Sequence, residues 1–237
     1  MQKEVKKSWA LFLGIGTMMI AHGLQMQIMG IRSVLEQFSI FTTGIFMSGY
    51  YVGYFIGSKT TPNLVQKVGH IRVFAAFASL ASLSALVAVA YVNPLMWTIS
   101  RFITGISLVS CYVVAESWLN DRATNKNRGQ LLSAYMMVIY FGLAVGMLLL
   151  NVSEPKAYEP FILVSVLLSL ALVPILLIKR PAPKFKKIGT ISIKELFNIS
   201  PLGSVSSFFT GVIHAAFFSL ISVYATAANF KLFETSI

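Results

Sequence analysis

The sequence predicts an all-α membrane protein, a bundle of transmembrane helices, and three observations predict that class. Hydrophobic residues make up 56% of the chain and charged residues only 11%, whereas soluble domains carry about 25% charged residues. The apolar residues come in blocks of about twenty, the length that crosses a hydrocarbon core of roughly 30 Å. Lysine and arginine lie almost entirely between these blocks.

Seven apolar blocks follow one another, and each predicts a helix because backbone polar groups inside a bilayer must pair within their own segment. The first block follows Lys3, Lys6 and Lys7, as a signal peptide would, but it is too long for one and more blocks follow it. In the second block, glycines such as Gly49 and Gly53 favour packing against protein rather than lipid. The predicted helices are residues 9–31, 40–57, 73–92, 95–115, 131–150, 161–178 and 203–227.

Three regions organise the predicted chain. Residues 1–178 form an N-terminal six-helix transmembrane bundle, residues 179–202 a basic cytoplasmic linker, and residues 203–237 the start of a C-terminal bundle. Within the linker, residues 188–199 have an amphipathic pattern, which leaves open a surface helix at the inner leaflet or a disordered segment. A lone seventh helix after a six-helix unit is most simply interpreted as a truncated sequence, with later helices missing.

The positive charges predict the orientation, because Lys and Arg are enriched on the cytoplasmic side of membrane proteins. With the amino terminus inside, the outer segments hold only Arg32, Lys156 and Lys231, and Arg101 falls inside the fourth helix. We therefore predict a multi-pass protein of the bacterial inner membrane with a cytoplasmic amino terminus. The inner segments hold Lys3, Lys6, Lys7, Lys59, Lys67, Arg72, Arg122, Lys126, Arg128, Lys179, Arg180, Lys184, Lys186, Lys187 and Lys194.

Polar residues within the apolar blocks are the candidate site, since charged groups at membrane depth usually face a cavity or a partner. Arg101 is predicted to line such a cavity, with Gly105 one turn later allowing another helix to approach; the alternative is an arginine that extends to the outer headgroups. His22 and Gln25 share one face of the first helix, and histidine titrates near neutral pH. A role in binding substrate or protons, or in interhelical hydrogen bonding alone, fits these two residues equally.

Other classes of protein are poorly supported. The net charge of +11 suggests nucleic acid, but the charges are spread between apolar blocks rather than gathered on one face. The sequence has no CxxC, HExxH or P-loop motif, so it predicts no enzyme activity, no metal site, no cofactor and no ATP-driven pump. The single cysteine, Cys111, lies in an apolar block and is predicted to be a small core residue.

The link between the second and third helices has a pattern similar to a known family motif. In residues 62–72, Lys67 and Gly69 match the Gly-x-x-x-Asp-Arg-x-Gly-Arg-Arg motif of the major facilitator superfamily, whereas Gln66 stands where that family usually has Asp. Arg101 and Gly105 resemble the Arg-x-x-x-Gly of its fourth helix. The sequence around Glu116 and the run of residues 69–72 resemble the YcaD-like branch of that superfamily.

The resemblance implies an N-terminal bundle of two inverted three-helix repeats plus a seventh helix, working by alternating access. It implies a secondary transporter of a small solute in the lipid bilayer, completed by the missing C-terminal bundle and with protons as a hypothetical coupling ion. The alternative is a non-transporting membrane scaffold or assembly partner, whose buried polar groups serve packing only. The resemblance also implies a cytoplasmic gate formed by Gln66, Lys67, Gly69, Arg72, Glu116, Arg128 and Gly129.

Overall fold

The computed structural model describes residues 8–177 and 192–236, and these residues are predominantly helical. Each of the seven predicted helices is present. A short 3-10 turn, Leu149–Val152, extends α5, and α7 directly follows α6. The helices are α1 (Trp9–Leu35), α2 (Ile40–Val68), α3 (His70–Ala90), α4 (Pro94–Arg122), α5 (Arg128–Leu148), α6 (Glu159–Leu170), α7 (Leu172–Leu176), α8 (Ile193–Ile199), α9 (Pro201–Ala227) and α10 (Leu232–Thr235).

Six stretches of the described chain are long and apolar enough to cross a membrane: α1, α3, α4, α5 with its 3-10 extension, α6 with α7, and α9. The helix α2 is also long enough, at 29 residues, but it is less apolar. Its glycines and tyrosines lower its hydropathy, as the interrupted pattern of the second block indicates. The crossing of the membrane by α2 therefore stays a prediction.

The helix α2 extends well beyond its apolar part. The predicted end was residue 57, but the helix continues to Val68 and passes through Pro62. Its polar residues remain helical because their hydroxyls bond back to carbonyl oxygens of the preceding turn: Thr60 Oγ1 donates to the carbonyl of Ile56 at 3.0 Å. The predicted link to the next helix thus shrinks to Gly69 alone, and Gln66 and Lys67 lie on a helix instead of a loop.

The sixth predicted helix is divided into α6 and α7 by Ala171. The physical reason is Pro174, whose ring nitrogen has no hydrogen to donate to the carbonyl of Leu170, four residues earlier. The predicted end at residue 178 lies outside the described residues.

Helices α3 and α4 form a tight hairpin, in keeping with the short link between the predicted helices 73–92 and 95–115. Residues 91–93 make the turn, and the side chain of Asn93 accepts a hydrogen bond from the backbone N–H of Leu95 at 2.8 Å. The indole N–H of Trp97 donates across the hairpin to the carbonyl of Ala88 at 2.8 Å. Both bonds fix the angle at which α4 leaves α3.

The packing of the helices repeats after three helices. Helix α1 packs mainly against α5, and α4 mainly against α2. The helix α1 also contacts α6, as α4 contacts α3, and α3 contacts α6. If α1, α2 and α3 are exchanged with α4, α5 and α6, this set of contacting helix pairs stays the same. Two inverted repeats of three helices generate this pattern.

Glycines make the two main crossings equally close. At each crossing, each of the two helices contributes one glycine. A Cβ added to one of these glycines would overlap a carbonyl oxygen of the opposite helix, and that carbonyl lies three residues before the glycine of the opposite helix. Only glycine permits backbones to approach this closely. The overlaps are of Gly23 with Leu143, Gly146 with Ile20, Gly53 with Phe102 and Gly105 with Tyr50.

The helix α9 packs along α1 and reaches α2 at a few points. Tyr51 Oη lies 3.1 Å from Ser219 Oγ, and Gln27 Nε2 donates to the carbonyl of Thr235 at 3.3 Å. Gln27 therefore bonds to the short helix that follows α9. Most of the surface of α9 is exposed in the described structure.

The part of the linker that is described includes the short helix α8. Ser192 and Glu195 cap it reciprocally, and its residues are exposed. The basic amino-terminal residues Lys3, Lys6 and Lys7 and the linker residues 179–191 lie outside the described residues. The predicted domain boundaries stay predictions.

Candidate functional site

The candidate site is centred on Arg101, a charged side chain at the crossing of α2 and α4. Its side chain is 0% exposed, so it does not extend to a surface, as the headgroup alternative requires. Its Nε, Nη1 and Nη2 atoms have no hydrogen-bond partner among residues 8–177 and 192–236. Buried guanidinium groups are usually paired, so this one has unused binding capacity.

Tyr50 joins Arg101 to His22. The guanidinium carbon of Arg101 lies 4.7 Å from the centroid of the Tyr50 ring, within the range of a cation–π interaction. The imidazole of His22 stacks on the same phenol, with centroids 5.5 Å apart and ring planes 20° from parallel. Three helices, α1, α2 and α4, thus each contribute one side chain to the site.

Gly105 lies where α2 and α4 approach each other most closely beside the site. The carbonyl of Tyr50 occupies the space where a Cβ of residue 105 would lie, and this approach of α2 brings the Tyr50 ring against Arg101. The sequence interpretation, in which Gly105 allows another helix to approach the face of Arg101, is consistent with this contact.

On α1, the predicted residues are buried but unsatisfied. His22 is 6% exposed and Gln25 is 1% exposed. His22 Nδ1 and Gln25 Nε2 have no hydrogen-bond partner in the described part of the chain. Interhelical hydrogen bonding, the alternative role for this pair, is therefore not what these two atoms do in this structure.

An aromatic wall extends from Tyr50 along α2 and α4. The ring centroid of Tyr54 lies 6.0 Å from that of Tyr50 and 6.5 Å from that of Tyr112. The hydroxyl of Tyr112 donates to Met19 Sδ at 2.8 Å. We refer to Tyr50, Tyr54 and Tyr112 as the tyrosine wall; it gives one side of the site a continuous aromatic surface.

The tyrosine wall was not predicted as part of the site. In the sequence, Tyr50 and Tyr54 mark only an interruption of an apolar block. The signal that points to them is their position beside Gly49 and Gly53, because helix glycines indicate the face that packs closely against another helix. That face of α2 contacts the face of α4 that carries Arg101.

The predicted gate residues lie together at one end of the bundle, at the end of α2, the starts of α3 and α5, and the last part of α4. Their side chains are largely exposed. In the described structure, neither Arg72 nor Arg128 forms an ion pair with Glu116. An ion pair does join Arg32 to Glu36 at the end of α1, away from the gate residues, with the N and O atoms 3.1 Å apart. Arg72, Glu116 and Arg128, which the resemblance assigns to one gate, are therefore not paired with one another in this conformation. The gate residues are Gln66, Lys67, Gly69, Arg72, Glu116, Arg128 and Gly129.

A different contact ties this end of the bundle together. His70 is buried, and its Nε2 lies 3.0 Å from Ser117 Oγ, with its ring edge-on to Trp118 at 6.0 Å. One turn after Trp118 on the same face of α4, Arg122 Nη1 donates to Ser8 Oγ at 3.2 Å, and its guanidinium lies 5.7 Å from the centroid of the Trp118 ring. These contacts connect the starts of α1 and α3 to the end of α4.

Among the described residues, no cluster of His, Cys, Asp and Glu has the arrangement of a metal site. The side chains gathered at the site are a guanidinium, an imidazole, an amide and three phenols, which offer electrostatic and hydrogen-bonding contacts.

Comparison with known proteins agrees with this arrangement. The model of the Major Facilitator Superfamily matches residues 11–237. The MFS-type transporter YcaD of Escherichia fergusonii is 25% identical over 191 residues, covering 80% of this chain and 50% of the relative. YcaD of Escherichia coli O6:K15:H31 is 26% identical over 194 residues, with the same coverage. The chain spans about half the length of these curated relatives.

Two solved structures share the fold. A D-xylose–proton symporter superposes with a TM-score of 0.64 at 14% identity, covering 97% of this chain and 64% of the symporter. An auto-inhibited peptide transporter of the POT family superposes with a TM-score of 0.60 at 10% identity, covering 96% and 51%. At such identities the likeness shows the fold alone. With the helical bundle described above, the family match over residues 11–237 shows that the chain is a multi-pass membrane protein belonging to the Major Facilitator Superfamily.

Proposed function

We propose that the protein is a secondary active transporter that moves a small solute across the bacterial inner membrane by alternating access. His22, Gln25 and Arg101 line the substrate cavity, and Gly105 holds α2 against α4 so that the cavity keeps its shape. The observation that carries the proposal is a buried Arg101 with three unused nitrogens in a chain of this superfamily.

The carrier is completed by a second helix bundle that faces this one. Alternating access needs two bodies that rock around a site between them, and the chain spans about half of its curated relatives. The exposed gate residues Gln66, Lys67, Arg72, Glu116 and Arg128 then meet their partners across the inner side in one of the two states. An ion pair formed in one state must be offset by contacts in the other for the cycle to turn.

Proton coupling is part of the proposal, and it rests on His22. Its neighbours are the ring of Tyr50 and, on the same ring, the guanidinium of Arg101. A proton on His22 adds a second positive charge beside Arg101. Protonation and solute binding at this site are therefore linked.

The test uses inverted and right-side-out membrane vesicles from cells that express the protein from its own gene. The vesicles are incubated with a bacterial metabolite extract, and the retained solutes are identified by mass spectrometry against vesicles from a deletion strain. We expect retention that depends on an imposed pH gradient and collapses with a protonophore. Retention indifferent to the gradient would remove proton coupling from the proposal.

The variant Arg101→Ala separates a carrier from a scaffold. A carrier variant stays folded in the membrane and loses retention. A scaffold shows no retention beyond the deletion strain at all, and the variant instead loses assembly or stability. That second pattern would contradict transport.

A further inference from the structure

The charge of Arg101 has no counter-ion in the described structure. All of its nitrogens are unpartnered, and the nearest carboxylate on its own helix, that of Glu116, lies fifteen residues away, about 22 Å at 1.5 Å per residue. The other described carboxylates lie at helix ends or in links. They belong to Glu36, Asp121, Glu154, Glu159, Glu195 and Glu234.

An unbalanced buried charge is expensive in a protein of this kind. Leaving one partner of a buried ion pair without the other is strongly destabilising. The cation–π contact with Tyr50 offsets only part of such a cost. The balance favours an anion at this position during some part of the working cycle.

The surroundings of Arg101 indicate what kind of anion fits. Gln25 Nε2 is a second unused donor, buried on α1 one turn from His22, whose ring stacks on Tyr50. The tyrosine wall begins at Tyr50, whose ring contacts Arg101, and continues through Tyr54 to Tyr112. Donors suit a carboxylate, whose oxygens a guanidinium binds in pairs, and phenol rings suit an apolar or planar body. An inorganic anion would leave the tyrosine wall unused.

We propose that the transported solute is an organic anion of the carboxylate type, bound with its charged group at Arg101 and its body against the tyrosine wall. This inference rests on the proposed transport function and names the substrate class of the same site. A carboxylate side chain of the second bundle has the same chemistry as a solute carboxylate, and the experiment distinguishes the two sources.

The probes are three ring compounds that differ in charge: benzoate, benzyl alcohol and benzylammonium, with inorganic phosphate as an anion lacking a ring. Each is titrated at constant ionic strength against the protein purified from its own gene, and thermal unfolding is followed. We expect benzoate to raise the melting temperature and the other three probes to have little effect. An equal effect of benzylammonium or benzyl alcohol would overturn the inference.

Arginine variants locate the binding group. In Arg101→Gln we expect the apparent Kd of benzoate to rise roughly 10- to 100-fold, as for loss of a hydrogen bond to a charged group. Arg101→Lys keeps the positive charge but cannot bind a carboxylate through two parallel hydrogen bonds. We expect its apparent Kd for benzoate to lie between those of the native protein and Arg101→Gln. The control is Arg32→Gln, which removes an arginine bound to Glu36 and to the carbonyl of Ala157: it should lower the melting temperature yet keep the benzoate effect.

A carboxylate of the second bundle gives a different result. Benzoate then has no effect on the native protein, and Arg101→Gln lowers the melting temperature in the absence of any probe; this outcome would overturn the inference. Because unfolding needs no flux, the two proposals fail separately. If vesicles retain only cationic or neutral solutes, the transport proposal stands and the organic-anion proposal fails. If benzoate binds but vesicles retain no solute, the transport proposal fails although an anion binds at the site.

Discussion

Gly69 is the residue whose backbone decides the turn between α2 and α3. Its φ of 87° and ψ of 161° lie in a region that is essentially restricted to glycine, where other residues carry roughly 1–3 kcal/mol of strain. A Cβ at this position meets nothing within 4 Å. We therefore expect Gly69→Ala to lower stability by about that amount through backbone strain alone, which thermal unfolding followed by circular dichroism measures.

Gly129 supplies the matched control for this variant. It also has open space around an added Cβ, but it lies in the first turn of α5, where alanine is favoured over glycine by up to about 1 kcal/mol. Gly129→Ala should therefore leave the melting temperature unchanged or raise it. Equal melting temperatures for the two variants would contradict the backbone assigned to Gly69.

At the residue scale, the sequence identifies polar side chains but not their contacts. Arg101, His22 and Gln25 stand out because each is polar inside an apolar block, and that signal is local. Tyr50 does not stand out, because its importance depends on α2 meeting α4 and α1 at one point. Hydropathy does not show a contact between helices about fifty residues apart in the chain; the local signal for it is the position of Tyr50 beside Gly49, on the closely packed face of α2.

The close crossing of α2 and α4 is the feature of the helices on which the site depends. Alanine at Gly53 or Gly105 would place a Cβ against the carbonyl of Phe102 or of Tyr50. Overpacking of this kind costs about 1–3 kcal/mol and shifts the backbone. We expect Gly53→Ala and Gly105→Ala each to reduce the melting temperature and the retention of solute.

Gly44 on the same helix is the control for these variants. An added Cβ there meets no atom within 4 Å, so Gly44→Ala is expected to keep the stability of the native protein. Stability measurements on all three variants test the crossing directly. Loss of stability in Gly44→Ala comparable to that in Gly53→Ala would show that the effect belongs to α2 in general and not to the crossing.

The sequence predicts the existence of every long helix but misplaces several ends. Hydropathy marks where a chain leaves an apolar environment, whereas a helix ends where its hydrogen bonding ends. These two positions differ most in α2, which continues through residues 58–68, and in α4, which continues from the predicted residue 115 to Arg122. The break at Ala171 follows from Pro174, which a hydropathy window treats as one more residue of the block.

The orientation of the whole molecule is a prediction from the distribution of its positive charges. It can be tested with cysteines, because the chain has one native cysteine, Cys111, which is buried. In a Cys111→Ala background, Val92→Cys places a thiol in the turn between α3 and α4, and Lys126→Cys places one in the link between α4 and α5. We expect a membrane-impermeant maleimide to label Val92→Cys in intact spheroplasts and Lys126→Cys in inverted vesicles.

The two cysteine variants control each other, since both positions are in short links and differ only in the predicted side of the membrane. The opposite labelling pattern would reverse the orientation and move the predicted gate to the outside. At this scale the sequence is most informative: fifteen inner against three outer positive charges and the succession of apolar blocks together determine both the number and the direction of the predicted crossings.

The length of α2 has a mechanical consequence. From the crossing at Gly53 to its end at Val68 the helix is a continuous rod of about 22 Å. Beyond Gly53 the helix stays packed on α4, because Gly57 lies against Ile106 and Val109 and Thr61 Oγ1 lies 2.7 Å from Ser110 Oγ. The two helices therefore tilt as one unit, and a tilt of roughly 10° about Gly53 displaces Val68 by about 4 Å, within the range of known rigid-body helix shifts. A small movement of α2 beside the guanidinium of Arg101 would therefore produce a larger displacement of Gln66 and Lys67, while the helix between them keeps its structure.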